Sequence, residues 1–168
     1  MSYLTEPLAP KHKKAAFSCG KDLLDNYLHF QANQDVKRKL STCFVFIDSE
    51  TQLIKGYYTL ANNSIPLSLV PNTLQKKLPK SYVSIPTTLL GRLAIDSKFQ
   101  GQGLGKNLLI DALKRSYEIA HTIGSFALIV NPLDKDAEYF YEKYGFIKLP
   151  DSAKMFLPIK TIESLFNA

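Results

Sequence analysis

The sequence predicts a mixed α/β fold, a central β-sheet of mixed strand direction flanked by helices. Three observations predict it. Strand-like and helical runs follow one another irregularly, not as a strict βαβ repeat. A glycine-rich stretch joins an apolar strand to an amphipathic helix. The 168 residues, 45% hydrophobic and 21% charged, suit a single domain, 1–168, built round one core.

The elements are read in chain order. Leu23, Leu24, Tyr27, Leu28 and Ala32 recur at helical spacing and predict the first helix. Runs rich in β-branched and aromatic residues at 43–48 and 56–60 predict strands. The segment 64–86 carries Pro66, Pro71, Pro79 and Pro86 and reads as an insertion with a short helix over 72–77. Strands at 88–95 and 126–131 bracket a helix. Its apolar stripe is Leu104, Leu108, Leu109, Ala112 and Leu113, with Asp111, Lys114 and Arg115 expected to face away. Gly124 is expected to close this helix in a left-handed conformation. A further helix is expected over 134–143, short strands at 146–149 and 154–157, and a last helix over 161–166.

Several functional classes are excluded at this level. No apolar run approaches the ~20 residues that a membrane helix needs, and residues 1–14 lack the apolar stretch of a secretory leader. The expected compartment is the cytoplasm, and Cys19 and Cys43 are expected to be reduced thiols. His12, His29 and His121 are scattered, so no metal site is expected. The net charge of +6 is partly clustered, at Lys11, Lys13 and Lys14, at Lys37, Arg38 and Lys39, and at Lys76, Lys77 and Lys80. Such a surface attracts polyanions, RNA or the phosphates of a cofactor.

The segment 93–106 carries the most chemistry. Gly101, Gly103 and Gly105 alternate at the point where a strand turns into a helix. Glycines there let successive backbone N–H groups turn toward one point at the positive end of a helix, which makes a phosphate site. A P-loop would need glycine at Gln100 and Ser or Thr at Asn107, and both fail. A dinucleotide fingerprint starting at Gly101 meets Lys106 in place of its third glycine, and one starting at Gly103 meets Leu108.

Gln100, Gly103 and Gly105 do form a Gln-x-x-Gly-x-Gly motif, with Gly101, Gln102, Leu104 and Lys106 around them. The strand at 90–95 precedes it and the strand at 127–131 follows the helix. Next comes Ala137, Phe140, Tyr141, Gly145 and Phe146 in the spacing A-x-x-F-Y-x-x-x-G-F. In order and spacing these resemble the GNAT acetyltransferases. The resemblance implies a sheet splayed at an acetyl-coenzyme A site, a loop at 100–106 that holds the pyrophosphate, and Leu93, Ala94 and Ile95 pairing with the pantetheine arm. The backbone N–H of Leu93 or Ile95 would face the thioester carbonyl. Asn131 would touch the cofactor, and Tyr141 would face the sulfur as general acid. Tyr139 and Tyr144 read as helix-face and packing residues. Asp134 stands where the family often has asparagine, and is expected to cap its helix instead.

Acetyl transfer to nitrogen needs a neutral amine, a donor for the oxyanion and a proton for the leaving thiolate. The strand at 89–95 offers no carboxylate as base, and Asp96 is better placed to cap the loop. A lysine amine, with a pKa near ~10.4, would need such a base more than an α-amine near ~7.7–8.0. The acceptor is thus tilted toward α-amines. Phe17, Cys19, Gly20, Leu24, Asp25, Tyr27 and Leu28, in the spacing F-x-C-G-x-x-x-L-D-x-[YWF]-L, are similar to the opening of a toxin subgroup of the GNAT enzymes. That resemblance implies acetylation of the α-amine of aminoacyl-tRNA, a block of translation, and a ribbon-helix-helix antitoxin as partner. It leaves a monomer or a homodimer open. Candidate tRNA contacts are Arg92, Lys37, Arg38 and Lys39. Two alternatives stay open: an N-acetyltransferase for a small-molecule or protein amine, and a non-catalytic module that senses acetyl-CoA or binds a partner.

Overall fold

The computed structural model describes residues 2–167; Met1 and Ala168, which the 1–168 domain reading includes, lie outside the described residues. The chain begins with β1 (Glu6–Pro7) and α1 (Asp22–Asn26), which passes through a π-helical turn (Tyr27–Gln31) into α2 (Ala32–Lys37). Strands β2 (Thr42–Ile47) and β3 (Ile54–Pro66) follow, then α3 (Asn72–Gln75) and β4 (Ser84–Ile95). The long α4 (Leu104–Thr122) leads to β5 (Ala127–Val130), α5 (Lys135–Lys143), β6 (Ile147–Lys148), β7 (Met155–Pro158) and α6 (Ile159–Phe166). The strands form a mixed seven-stranded sheet in the order β1-β2-β3-β4-β5-β7-β6. Strand β2 pairs antiparallel with β1 and β3, β4 runs parallel to β5, and β7 is antiparallel to both β5 and β6. The parallel ladder joins Thr88–Leu90 to Leu128–Val130 and ends there, while β4 runs on to Ile95.

The chain divides into two compact units. One is the chain up to Ala61 with Gly91–Ala112; the other is Asn62–Leu90 with the chain from Leu113 onward. The first unit is built round Phe17, Tyr27, Leu28, Cys43, Val45 and Tyr57, all nearly closed to solvent. Gly56 lets β3 lie close: a Cβ there would come within 2.8 Å of Ile95 and Leu108 and 3.0 Å of the Ala94 carbonyl. A side chain there would push aside the ends of Ile95 and Leu108 and press on the Ala94 carbonyl. The second unit is built round Ile65, Val70, Ile85, Ile129, Leu149 and Phe156, with Leu67, Leu74 and Leu78 of the proline-rich segment packed on them. Segment 64–86 is thus part of this core, with a helix shorter than expected.

Three sequence expectations are corrected. Asp111 does not face away from the protein. It is 5% exposed and accepts hydrogen bonds from the Leu4 N–H at 2.7 Å, the Tyr58 hydroxyl at 2.7 Å and the Thr5 hydroxyl. Its position three residues after Leu108 lies on the apolar stripe, and these partners meet its charge. Gly124 does not cap α4 in a left-handed conformation: among the described residues, the glycines with positive φ are Gly20, Gly101, Gly103 and Gly145. The helix ends at Thr122, and the Ile123 N–H closes back on the Ile119 carbonyl at 2.8 Å. Leu23 is 70% exposed and Asp25 is buried in its place, because the Asp25 carboxylate takes the Cys19 N–H at 2.8 Å. Among the described residues, no helix is long and apolar enough to cross a membrane, and no group of three or more His, Cys, Asp and Glu side chains could hold a metal ion. Both cysteines are free thiols.

Candidate active site

In the first unit, the strand-to-helix loop is pinned before it turns. The buried Asp96 carboxylate accepts the Lys98 N–H at 2.9 Å and the Ser18 N–H at 3.1 Å, and the Ser97 N–H donates to the Ser18 carbonyl at 2.8 Å. Asp96 therefore caps the turn, as expected, and neither oxygen is left as a free base. The Gln100 side-chain amide donates to the Ile95 carbonyl at 2.9 Å and the Cys19 carbonyl at 3.0 Å. Gln100 thus braces the loop with the nitrogen of its side chain.

The loop then turns through Gly101 at φ +79° and Gly103 at φ +78°. A Cβ at either would meet nothing within 4 Å, so these glycines serve backbone conformation and open approach, not packing. The Asn107 N–H closes the first helical bond onto the Gly103 carbonyl at 3.2 Å. The first-turn N–H groups of the 19-residue α4, at Leu104, Gly105 and Lys106, therefore stand at its positive end without intrahelical acceptors. Gly101, Gln102, Gly103 and Lys106 are exposed. Open space, left-handed turns and orphan donors fit a pyrophosphate.

Upstream on β4, Ala94 is buried, while Leu93, Ile95 and Arg92 are half-buried. The Arg92 guanidinium carbon lies 3.5 Å from the centroid of the Tyr27 ring. Among the described residues no carboxylate lies within ion-pair distance of Arg92. Lys37 ends α2, and Arg38 and Lys39 follow it, all exposed, with Lys39 at φ +62°. The Tyr27 hydroxyl donates to Asp35 of α2 at 2.8 Å, so this ring links Arg92 to the helix that carries the basic run. Burial pushes the Cys43 thiol up to about 12, against the opposing pull of Arg92 and Lys14. Reading the sequence missed the Tyr27 platform. Its one trace was the aromatic position in the N-terminal signature.

In the second unit, Asn131 is exposed just beyond β5. Asp134 caps α5, accepting the Ala137 N–H at 2.9 Å, as expected. Tyr141 on α5 is 7% exposed, with its ring edge-on to Phe140 and Phe146, each at 5.3 Å. Its hydroxyl has no hydrogen-bond partner among the described residues, and burial pushes its pKa above the usual phenol value. Tyr139 is exposed on the helix face, and Tyr144 packs edge-on against Phe140, as expected of both. Glu138 is held by Lys148 at 3.0 Å and Lys135 at 3.5 Å.

Residues 79–157 match the family model described as an acetyltransferase (GNAT) domain. The chain is 34% identical to a tRNA-acetylating toxin of Mycobacterium tuberculosis over 90% of its length and 89% of that protein's. It is 32% identical to a probable toxin TacT of Sinorhizobium fredii, over 98% and 95%. Among solved structures, a tyrosine-to-phenylalanine mutant of KacT superposes with a TM-score of 0.91 at 31% identity, over 96% of this chain and 98% of that one. AtaT complexed with acetyl-methionyl-tRNAfMet gives 0.89 at 30%, over 98% and 99%. An AtaT tyrosine-to-phenylalanine mutant bound to acetyl-CoA and the C-terminus of the antitoxin AtaR gives 0.82 at 27%, over 100% of both chains.

Proposed function

The chain belongs to the GNAT acetyltransferases, among the tRNA-acetylating toxins, and on that premise we propose that it moves the acetyl group of acetyl-CoA to the α-amine of an aminoacyl-tRNA. The observation that carries the reading is the likeness, over nearly the whole chain, to proteins named for this acetylation. The blocked amine cannot take part in peptide-bond formation, so the enzyme acts as a toxin on translation. It works as one catalytic domain, 1–168, in the cytoplasm, restrained by a ribbon-helix-helix antitoxin.

Each candidate residue has a task in this reaction. The loop from Gln100 to Lys106 holds the pyrophosphate. The backbone of Leu93, Ala94 and Ile95 pairs with the pantetheine arm, one N–H of Leu93 or Ile95 polarises the thioester carbonyl, and Asn131 touches the cofactor. The amine lone pair attacks the carbonyl carbon, the C–N bond forms and the C–S bond breaks. Tyr141 gives its proton to the departing sulfur, and the proton lost by the nitrogen restores the phenol. Burial raises the Tyr141 phenol above its usual pKa, so the group enters the reaction protonated; its position in the A-x-x-F-Y-x-x-x-G-F pattern is what supports the acid role. Both Asp96 oxygens accept backbone N–H groups, which supports an acceptor that needs no strong base. Arg92, Lys37, Arg38 and Lys39 meet the phosphates of the tRNA.

The test is incubation with radiolabelled acetyl-CoA and a charged-tRNA pool. Label on aminoacyl-tRNA is expected; label only on a small amine would overturn the reading. Tyr141→Phe is expected to lower kcat by about 10²-fold or more with the KM for acetyl-CoA unchanged. Near-wild-type turnover would remove Tyr141 from the chemistry.

A further inference from the structure

A half-buried guanidinium without a counter-ion is expensive, and a protein that keeps one uses it. Arg92 is such a group. Its guanidinium carbon lies 3.5 Å from the centroid of the Tyr27 ring, and among the described residues no carboxylate is within ion-pair distance. The ring beneath it is held at several points. Tyr27 is 3% exposed, its hydroxyl donates to Asp35 at 2.8 Å, and the Ser41 hydroxyl lies 3.0 Å away. Tyr57 stacks with Tyr27, 6.4 Å between centroids and 15° from parallel, and its hydroxyl donates to the Leu24 carbonyl at 2.6 Å. The π-helical turn begins at Tyr27, and turns of this kind gather at functional sites.

We infer that Tyr27 is a positioning residue for Arg92: its clamped ring fixes the plane of the guanidinium, so that the N–H edge is presented to a phosphate of the acceptor RNA. This rests on the proposed reading that Arg92 meets tRNA phosphate. Arginine is long and mobile, and its planar fork recognises phosphate well only when oriented. A stacked ring supplies the orientation and leaves the in-plane donors free.

The experiment measures steady-state acetylation of aminoacyl-tRNA by the full chain, with thermal unfolding as a check on each variant. Arg92→Ala is expected to raise the KM for aminoacyl-tRNA at least tenfold and flatten its salt dependence. Tyr27→Leu is expected to raise the same KM five- to tenfold, with the KM for acetyl-CoA unchanged, and to add nothing in the Arg92→Ala background. Tyr27→Phe, which keeps the ring, is expected to restore most of the affinity. Arg92→Lys keeps the charge without the planar stack and is expected to lose nearly as much as Arg92→Ala. It also tests the inference should Tyr27→Leu not fold. Wild-type KM in Arg92→Lys, or in folded Tyr27→Leu, would overturn the positioning role alone. Equal effects of Tyr27→Leu with and without Arg92 would do the same and mark Tyr27 as merely structural. Unchanged KM and salt dependence in Arg92→Ala would overturn the phosphate reading itself.

Discussion

Two segments of the first unit carry its most specific sequence patterns, and they are built in opposite ways. The loop from Gln100 to Lys106 is mostly exposed, and its specificity lies in backbone: two glycines at positive φ and the open end of α4. The segment from Phe17 to Leu28 puts its signature inward. Phe17 sits in the core edge-on to Tyr57, Asp25 takes the Cys19 N–H, and Tyr27 lies under Arg92. The Gln100 amide bonds the Cys19 carbonyl and the Ser18 N–H bonds Asp96, so the buried segment holds the start of the exposed one. A motif can therefore mark exposed backbone in one place and the scaffold that holds it in another.

The sharpest attack on this division is Phe17→Ala. Emptying a site that is 2% exposed is expected to cost about 3–5 kcal/mol in urea unfolding, while the KM for acetyl-CoA measured in the cold stays near wild type. A raised KM in protein that is still folded would mean that the segment does more than support. Gly103→Ala is the opposite case. At φ +78° an alanine is strained by about 1–2 kcal/mol, and the KM for acetyl-CoA is expected to rise about tenfold or more as the N–H groups swing off target. A stability loss without a KM change would remove the loop from the cofactor site.

Asp25→Asn should act more weakly. It keeps an acceptor for the Cys19 N–H but loses the charge, which is expected to cost about 1 kcal/mol, seen as a lower unfolding midpoint at unchanged KM for acetyl-CoA. The mildest test uses pH. The folded pKa of Cys43 is raised by burial from 9.0 to about 12, so the folded state favours the neutral thiol. Its contribution is fully present below pH 9.0 and is lost as pH climbs toward 12. Equilibrium unfolding should show a downward slope in that window, and Cys43→Ala should make it shallower, the remainder coming from groups such as Cys19, which burial raises to about 11. An identical slope in the variant would mean that the thiol ionises as easily folded as unfolded.

Residue patterns reached far into the fold where the physics is local. Alternating glycines between a strand and an amphipathic helix can make few things, and the failed P-loop and dinucleotide spacings narrowed them further. Asp134 and Asp96 were legible as caps because a cap bonds an N–H two or three residues away. Asp111 was misread because charge suggested solvent, while the groups that satisfy it, Leu4, Thr5 and Tyr58, lie far away in sequence. Gly124 was misread because a glycine near a helix end permits a left-handed cap without requiring one. The π-helical turn at Tyr27 has no local signature, since its cost is offset only by the core that receives Tyr27 and Leu28.

By itself the sequence determined the mixed α/β class and marked the glycine loop, because both rest on short-range backbone rules, and its motifs carried the family resemblance that implies acetyl transfer. Only the tertiary structure decided which signature residues face outward and which brace from within. It closed Gln100 onto two carbonyls, buried Asp111, and laid Arg92 on Tyr27. Those outcomes depend on partners brought together across long stretches of chain, and the energies of burial and hydrogen bonding that select them exist only once the core has formed.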